Sequence, residues 1–303
     1  MNPILLYFAS GESLYPGALL LFLAVGISLC TLPRWPRPLL NIAAWMGLIL
    51  MVMACPPFSW TVDAIFGASF FLWLVGRSST SATHAWLSLR VASTAVLTAL
   101  LLVLSTVEFL HRRVPVIRGE ASDHLVVIGD SISAGLGAKV RPWPDVMQEV
   151  TGVEARNLSR AGATAADGLA LADRVGSDDR LVRIELGGND LLGGEESGIF
   201  ARALERVLAK LAVPGRTLVM FELPLLPSQV GYGPIQRRLA AKYGVWLIPK
   251  RFLMGVIAGR EATSDGLHLS DIGARRMASI VAEVLSPVLK SQIGVPTTPA
   301  TRP

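Results

Sequence analysis

Cysteine is nearly missing from this chain: Cys30 and Cys55 are the only two in 303 residues, and both stand in apolar stretches. None follows residue 55, which excludes a cysteine nucleophile, a thiolate metal site and a disulfide framework from the polar part of the sequence. A cysteine-free domain is comfortable in either redox environment, so the compartment stays open. Charge is scarce as well. Before His111 the only Lys, Arg, Asp and Glu side chains are Glu12, Arg34, Arg37, Asp63, Arg77, Arg90 and Glu108. Clustered basic residues with interleaved aromatics are absent too. The short pairs Arg237-Arg238 and Arg275-Arg276 read as solvated helix faces, so no nucleic-acid partner is expected and the pI near 9.6 overstates any basic patch. The beginning of the chain has no basic stretch ahead of a single short apolar core, a poor fit to a cleavable signal peptide.

What is abundant is apolar sequence. Hydrophobic residues make up 51% of the chain and the mean hydropathy is +0.50, too high for an ordinary soluble enzyme. A transmembrane helix needs about 20 mostly apolar residues. Four runs come close, at 14–32, 39–55, 58–76 and 91–110, with Asp63 near one end of the third and Glu108 in the final turn of the fourth. Trp35, Trp60, Trp73 and Trp86 fall near the ends of these runs, where an interfacial aromatic belt would stand. Residues 1–113 are therefore expected to form a transmembrane region of about four helices, making this an integral protein of a bacterial inner membrane with the lipid bilayer as a partner. Four spans put Arg34, Arg37, Arg77 and Arg90 opposite Arg112, Arg113 and Arg118. The excess of positive charge then leans towards an extracytoplasmic position for the polar remainder of the chain.

Residues 114–123 (VPVIRGEASD) read as a linker. Beyond them the pattern alternates. Short β-branched or aliphatic runs at 124–129, 153–158, 181–187, 217–223 and 245–248 are separated by helical stretches at 143–151, 164–175, 198–212 and 233–243, with a last one at 271–289. Strands alternating with helices imply a doubly wound α/β domain with a parallel sheet, here over 124–290. The Pro- and Thr-rich residues 291–303 read as a disordered tail. There is no internal repeat.

In an open α/β sheet, ligands bind outside the carboxyl ends of the strands. Gly129-Asp130-Ser131 follows the first expected strand, Ala161-Gly162 the second, and Gly187-Gly188-Asn189-Asp190 the third, while Asp265-Gly266-Leu267-His268 stands near the end. A serine hydroxyl needs a base to become a nucleophile, and an imidazole takes its proton and later returns it to the leaving group. His268 is the natural base, since His124 stands at the wrong end of a strand. Asp265, three residues earlier, can orient the ring through its other nitrogen. The tetrahedral oxyanion wants preorganised donors, which the backbone N–H groups of Ser131 and Gly162 and the side-chain amide of Asn189 can supply. Asp130 and Asp190 read as braces of their turns rather than as a carboxylate pair.

These four blocks, in order and after successive strands, resemble the SGNH/GDSL-type serine esterases over residues 123–289, with the leucine-rich GGND context nearest the lysophospholipase and thioesterase branch. The resemblance implies a flavodoxin-like three-layer fold, ester hydrolysis through an acyl-enzyme on Ser131, His268 and Asp265, an oxyanion hole of Ser131, Gly162 and Asn189, and neither cofactor nor metal. The expected substrate is an acyl ester concentrated at the bilayer: a lysophospholipid, another lipid or a thioester. One alternative is an acyltransferase or O-deacetylase acting on cell-envelope glycans, disfavoured by the lack of intramembrane ionisable residues beyond Asp63 and Glu108. Another is a non-catalytic membrane scaffold. Two lookalikes fall away. Ser133 stands where the α/β-hydrolase elbow Gly-x-Ser-x-Gly needs glycine, and no Gly-Lys-Ser/Thr closes the run 129–139 as a phosphate loop would.

Overall fold

The computed structural model describes residues 3–29, 37–78, 83–136 and 140–290. The turn around Arg34 and Trp35, Cys30, and the tail over 291–303 lie outside the described residues. The chain divides into two compact units: residues 114–224 with 235–290, and residues 3–113 with the short segment 225–234.

The unit that holds the N-terminal residues is helical, with α1 (Pro3–Ala9), α2 (Leu14–Leu29), α3 (Arg37–Met53), α4 (Trp60–Ser78) and α5 (His84–His111). α2 and α3 approach closely because glycines face each other. A Cβ at Gly17 would stand 2.7 Å from the Gly47 carbonyl oxygen, and one at Gly47 would stand 2.7 Å from the Gly17 carbonyl oxygen. Ser13 Oγ adds a hydrogen bond to the Leu50 carbonyl at 2.9 Å. Leu21, Ala44, Phe70, Trp73, Leu97 and Leu101 fill the interior. Arg112 at the end of α5 pairs with Glu12 and lies over the Tyr15 ring. Large apolar side chains also cover the exterior: Leu19, Ile49, Phe71 and Val103 are each more than half exposed. Among the described residues one helix, α5, is long and apolar enough to cross a membrane, with 28 residues and a mean hydropathy of 2.1 over its best window; α2 and α3 are shorter apolar helices.

The second unit is the expected α/β structure. Its strands are β1 (His124–Gly129), β2 (Glu154–Asn157), β3 (Leu181–Glu185), β4 (Thr217–Phe221) and β5 (Trp246–Ile248), all parallel in the order β2-β1-β3-β4-β5. The helices are α6 (Ser131–Ala134), α7 (Trp143–Thr151), α8 (Gly168–Ala172), α9 (Gly188–Gly193), α10 (Ser197–Leu211), α11 (Tyr232–Tyr243), α12 (Lys250–Ile257) and α13 (Asp271–Leu285). Strands covered on both faces lose the polar–apolar alternation of a half-exposed sheet. Accordingly Leu125, Val126, Val127 and Ile128 of β1 are all buried. Ser122 pairs with the far end of the unit, donating to the Val288 carbonyl and accepting from the Lys290 N–H. The chain leaves β1 towards β2 on one side and returns to β3 on the other, so a crevice opens beyond the carboxyl ends of β1 and β3, where the strand order reverses.

Candidate active site

Ser131 stands at that crevice, two residues beyond the last residue of β1. Its turn is tied from below: Asp130 Oδ1 accepts the Ile132 N–H at 2.9 Å, and the Asp130 carbonyl accepts N–H groups from Ser133 and Ala134. Ser131 is 8% exposed. Its hydroxyl oxygen lies 3.1 Å from His268 Nε2, and His268 Nδ1 lies 2.6 Å from Asp265 Oδ2. A serine hydroxyl, an imidazole and a carboxylate thus form one hydrogen-bonded line across 137 residues of sequence.

The His268 loop owes its shape to local chemistry. Asp265 Oδ1 accepts the backbone N–H groups of Leu267 at 3.0 Å and His268 at 2.8 Å, while Ser264 N–H donates to the His268 carbonyl and Thr263 bridges Leu269. Ser270 Oγ then accepts the Gly273 N–H and starts α13. The His268 ring, and after it these two N–H groups, hold the Asp265 carboxyl far below the usual carboxylate range. Asp265 therefore stays anionic opposite the imidazole, and the half-exposed position of its side chain favours the charged form as well.

The other two residues singled out lie on the β2 and β3 sides of the same crevice. Gly162 has φ +76° and open space where a Cβ would stand. Asn189, in the first turn of α9, directs Nδ2 at the Ala163 carbonyl (3.0 Å) and at Asp130 Oδ2 (3.3 Å). Asp130 braces its own turn, as its sequence position suggested. Asp190 instead reaches across to the neighbouring loop, where Oδ2 accepts the Ala165 N–H at 2.9 Å. Among the described residues no group of His, Cys, Asp and Glu side chains is arranged to hold a metal ion.

Beneath the serine turn lies a polar cluster that the sequence motifs do not reveal. Ser133 Oγ donates to Glu185 Oε2 at 3.0 Å and accepts from Trp143 Nε1 at 3.1 Å and Arg183 Nη1 at 3.0 Å. The Arg183 guanidinium is sandwiched between the rings of Trp143 and Phe221, 4.5 and 4.6 Å from their centroids. Trp143 is therefore both a core residue and a donor. Gly129 pairs with Glu185 across the β1–β3 ladder, and a Cβ there would stand 2.9 Å from both Glu185 Oε2 and Ser133 Oγ. The available signal was the pair of charges at 183 and 185 in a strand otherwise as apolar as a buried parallel strand should be.

The profile of the GDSL-like lipase/acylhydrolase family matches residues 127–276. An arylesterase of Vibrio mimicus is 32% identical over 188 residues, covering 55% of this chain and 90% of that protein. The thioesterase 1/protease 1/lysophospholipase L1 of Escherichia coli (strain K12) is 28% identical, covering 57% of this chain and 88% of the relative. Among solved structures, the crystal structure of TesA shares 28% identity with a TM-score of 0.48, covering 55% of this chain and 99% of that one. The chain belongs to the GDSL-like lipase/acylhydrolase family. It is an ester hydrolase of the SGNH type, with a helical N-terminal region outside the matched residues.

Proposed function

We propose that this chain is a membrane-anchored serine esterase. Ser131 Oγ attacks the acyl carbonyl as His268 Nε2 removes its proton; His268 then protonates the leaving group, and the acyl-enzyme on Ser131 is hydrolysed by water activated by the same imidazole. Asp265 fixes the ring and stabilises the imidazolium that forms. The N–H groups of Ser131 and Gly162 and the Asn189 amide hold the oxyanion. The observation that carries this reading is the continuous line from Asp265 Oδ2 through His268 to Ser131 Oγ, with contacts of 2.6 and 3.1 Å.

The substrate class is an acyl ester of the lipid, lysophospholipid or thioester type. The activities named for the bacterial relatives support this, and so does an anchor that would concentrate amphiphilic esters beside the enzyme. Anchoring itself is supported by α5, by the apolar exterior of the helical unit and by the Gly17–Gly47 contact, a packing device suited to lipid, where small residues let helices approach. The excess of arginines at 34, 37, 77 and 90 over those at 112, 113 and 118 supports an extracytoplasmic catalytic unit.

A fluorophosphonate probe applied to the full chain in membranes tests the nucleophile. Labelling is expected in the wild type and lost in Ser131→Ala; labelling that survives the substitution overturns the assignment. Free acid as the sole product in the presence of a glycan acceptor separates hydrolysis from acyl transfer. Resistance to alkaline extraction tests the anchor, and a C-terminal reporter reads the side.

A further inference from the structure

α6 is a single turn of four residues, too short to hold its own geometry, and it begins at Ser131. Asp130 ties its start, and Ser133 ties its other side. Two residues along a helix stand about 200° apart, so a turn that aims Ser131 at the crevice aims Ser133 into the core. Ser133 is accordingly fully buried, and every polar atom it has is engaged. Its N–H donates to the Asp130 carbonyl at 3.2 Å, its carbonyl accepts from Asn157 Nδ2 at 2.7 Å, and its hydroxyl joins Trp143, Arg183 and Glu185. Beyond its own turn these partners come from α7, β2 and β3, so α6 is held from three directions. The hydroxyl has no freedom of orientation. An indole N–H and a guanidinium can only donate, so they take its two lone pairs, and its one proton is left for Glu185 Oε2. Arg183 serves this junction above all. Its side chain is fully buried, yet its Nε has no hydrogen-bond partner and its Nη2 reaches only the Met277 sulfur at 4.0 Å. Ser133 Oγ is the one oxygen it hydrogen-bonds among the described residues. Burying a cation with so few partners is costly, and the fold does so directly beneath the serine turn.

We infer that Ser133 is a positioning residue: gripped by Arg183 and Trp143 and bonded to Glu185, it fixes the rotation of α6 and so keeps Ser131 Oγ in line with His268 Nε2. The 3.1 Å contact between those two atoms leaves little room for error. An oxygen about 4 Å from the helix axis moves by about 1 Å when the turn rotates by about 15°, and a misplacement of that size costs about 10²-fold in rate. α6 has no second turn to resist such a rotation. The packing has no slack either, since a Cβ at Gly129 would stand 3.0 Å from Ser133 Cβ, which places Ser133 directly against the end of β1. The inference rests on Ser131 as the nucleophile and adds what holds it in place.

A single and a double variant of the full chain, purified in detergent, test it with p-nitrophenyl butyrate and a fluorophosphonate, at a temperature where each is folded. Ser133→Ala leaves the Trp143 and Arg183 donors unpaired. It is expected to lower the melting temperature and to reduce kcat about 10- to 100-fold with KM little changed. The labelling rate at Ser131 should fall by a similar factor. Adding Arg183→Met removes the stranded charge while keeping apolar bulk, so the melting temperature of the double variant should recover. Its kcat should not, because the pin is still missing. A double variant that recovers kcat together with its melting temperature overturns the inference, since the loss then came from the stranded charge. So does a Ser133→Ala variant whose kcat and labelling rate stay within about threefold of wild type. Failure of the nucleophile reading is distinguishable from both: it shows as labelling that survives Ser131→Ala, and it removes the inference as well.

Discussion

The two units bury charge and expose apolar surface in opposite ways. In the helical unit apolar side chains occupy interior and exterior alike, and a backbone contact between Gly17 and Gly47 draws two helices together. In the α/β unit the exterior carries the charges, yet Arg183, Glu185, Asp130 and Asp190 are buried at or beneath the crevice. The difference teaches where each unit spends its polar groups. The surface proposed to meet lipid would have no use for them, whereas a hydrolytic site needs fixed donors and acceptors held away from water. Glycine serves both ends: at Gly17 it permits a helix contact, and at Gly129 it admits the Glu185 carboxyl and the Ser133 hydroxyl against the backbone of β1.

That contrast can be broken by substitution. The largest effect is expected from Ser131→Ala, which removes the nucleophile altogether. Next comes Asp265→Asn. Losing the carboxylate that orients His268 should lower kcat by roughly 10²- to 10⁴-fold with little change in melting temperature, since Asp265 is half exposed. A drop of under fivefold on an acyl ester would show that the imidazole is oriented by something else. Val96→Lys addresses the other unit. Val96 is 49% exposed near the middle of α5, and on a water-facing surface the change would be nearly neutral. In a bilayer it costs about 2.5 to 3.5 kcal/mol of insertion energy, which a glycosylation-based insertion assay would read. Unchanged insertion would break the comparison by making that exterior an aqueous one. The smallest effect is expected for Gly129→Ala, where the added methyl group strains the cluster below Ser131 and costs about 1 to 3 kcal/mol by chemical denaturation. A stability within experimental error of wild type would mean that Glu185 moves aside without penalty.

Much of the α/β unit was legible because its signals are local. Short aliphatic runs separated by helical stretches announced a parallel sheet, and glycine–polar clusters after the runs announced its functional edge. Three helices were not legible, among them α6, which is only four residues long. α12 follows β5 after a single proline and is only eight residues long, too short for periodicity to register, and α9 is built from the same glycines that read as a loop. The buried cluster stayed hidden for a different reason. Arg183 and Glu185 alternate with Val182 and Ile184, which in isolation is the pattern of a strand with one wet face, and only the covering of both faces turns those charges inward.

Residues whose partners are near in sequence declared themselves. Asp265 and His268 share one turn through hydrogen bonds spanning two or three residues, and Asp130 caps the helix that starts at Ser131. Such contacts follow from residue type and spacing because the backbone between them has few ways to go. What tertiary structure alone decided was the meeting of distant groups: His268 with Ser131, Asn189 with Asp130, and Glu185 with Ser133 beneath both. Parallel strand order sets those pairings, since placing β1 next to β3 in register puts Gly129 beside Glu185. The environment of Glu185 then follows from its depth, because burial, and after it the Asp130 charge, raises its carboxyl pKa well above the ordinary value.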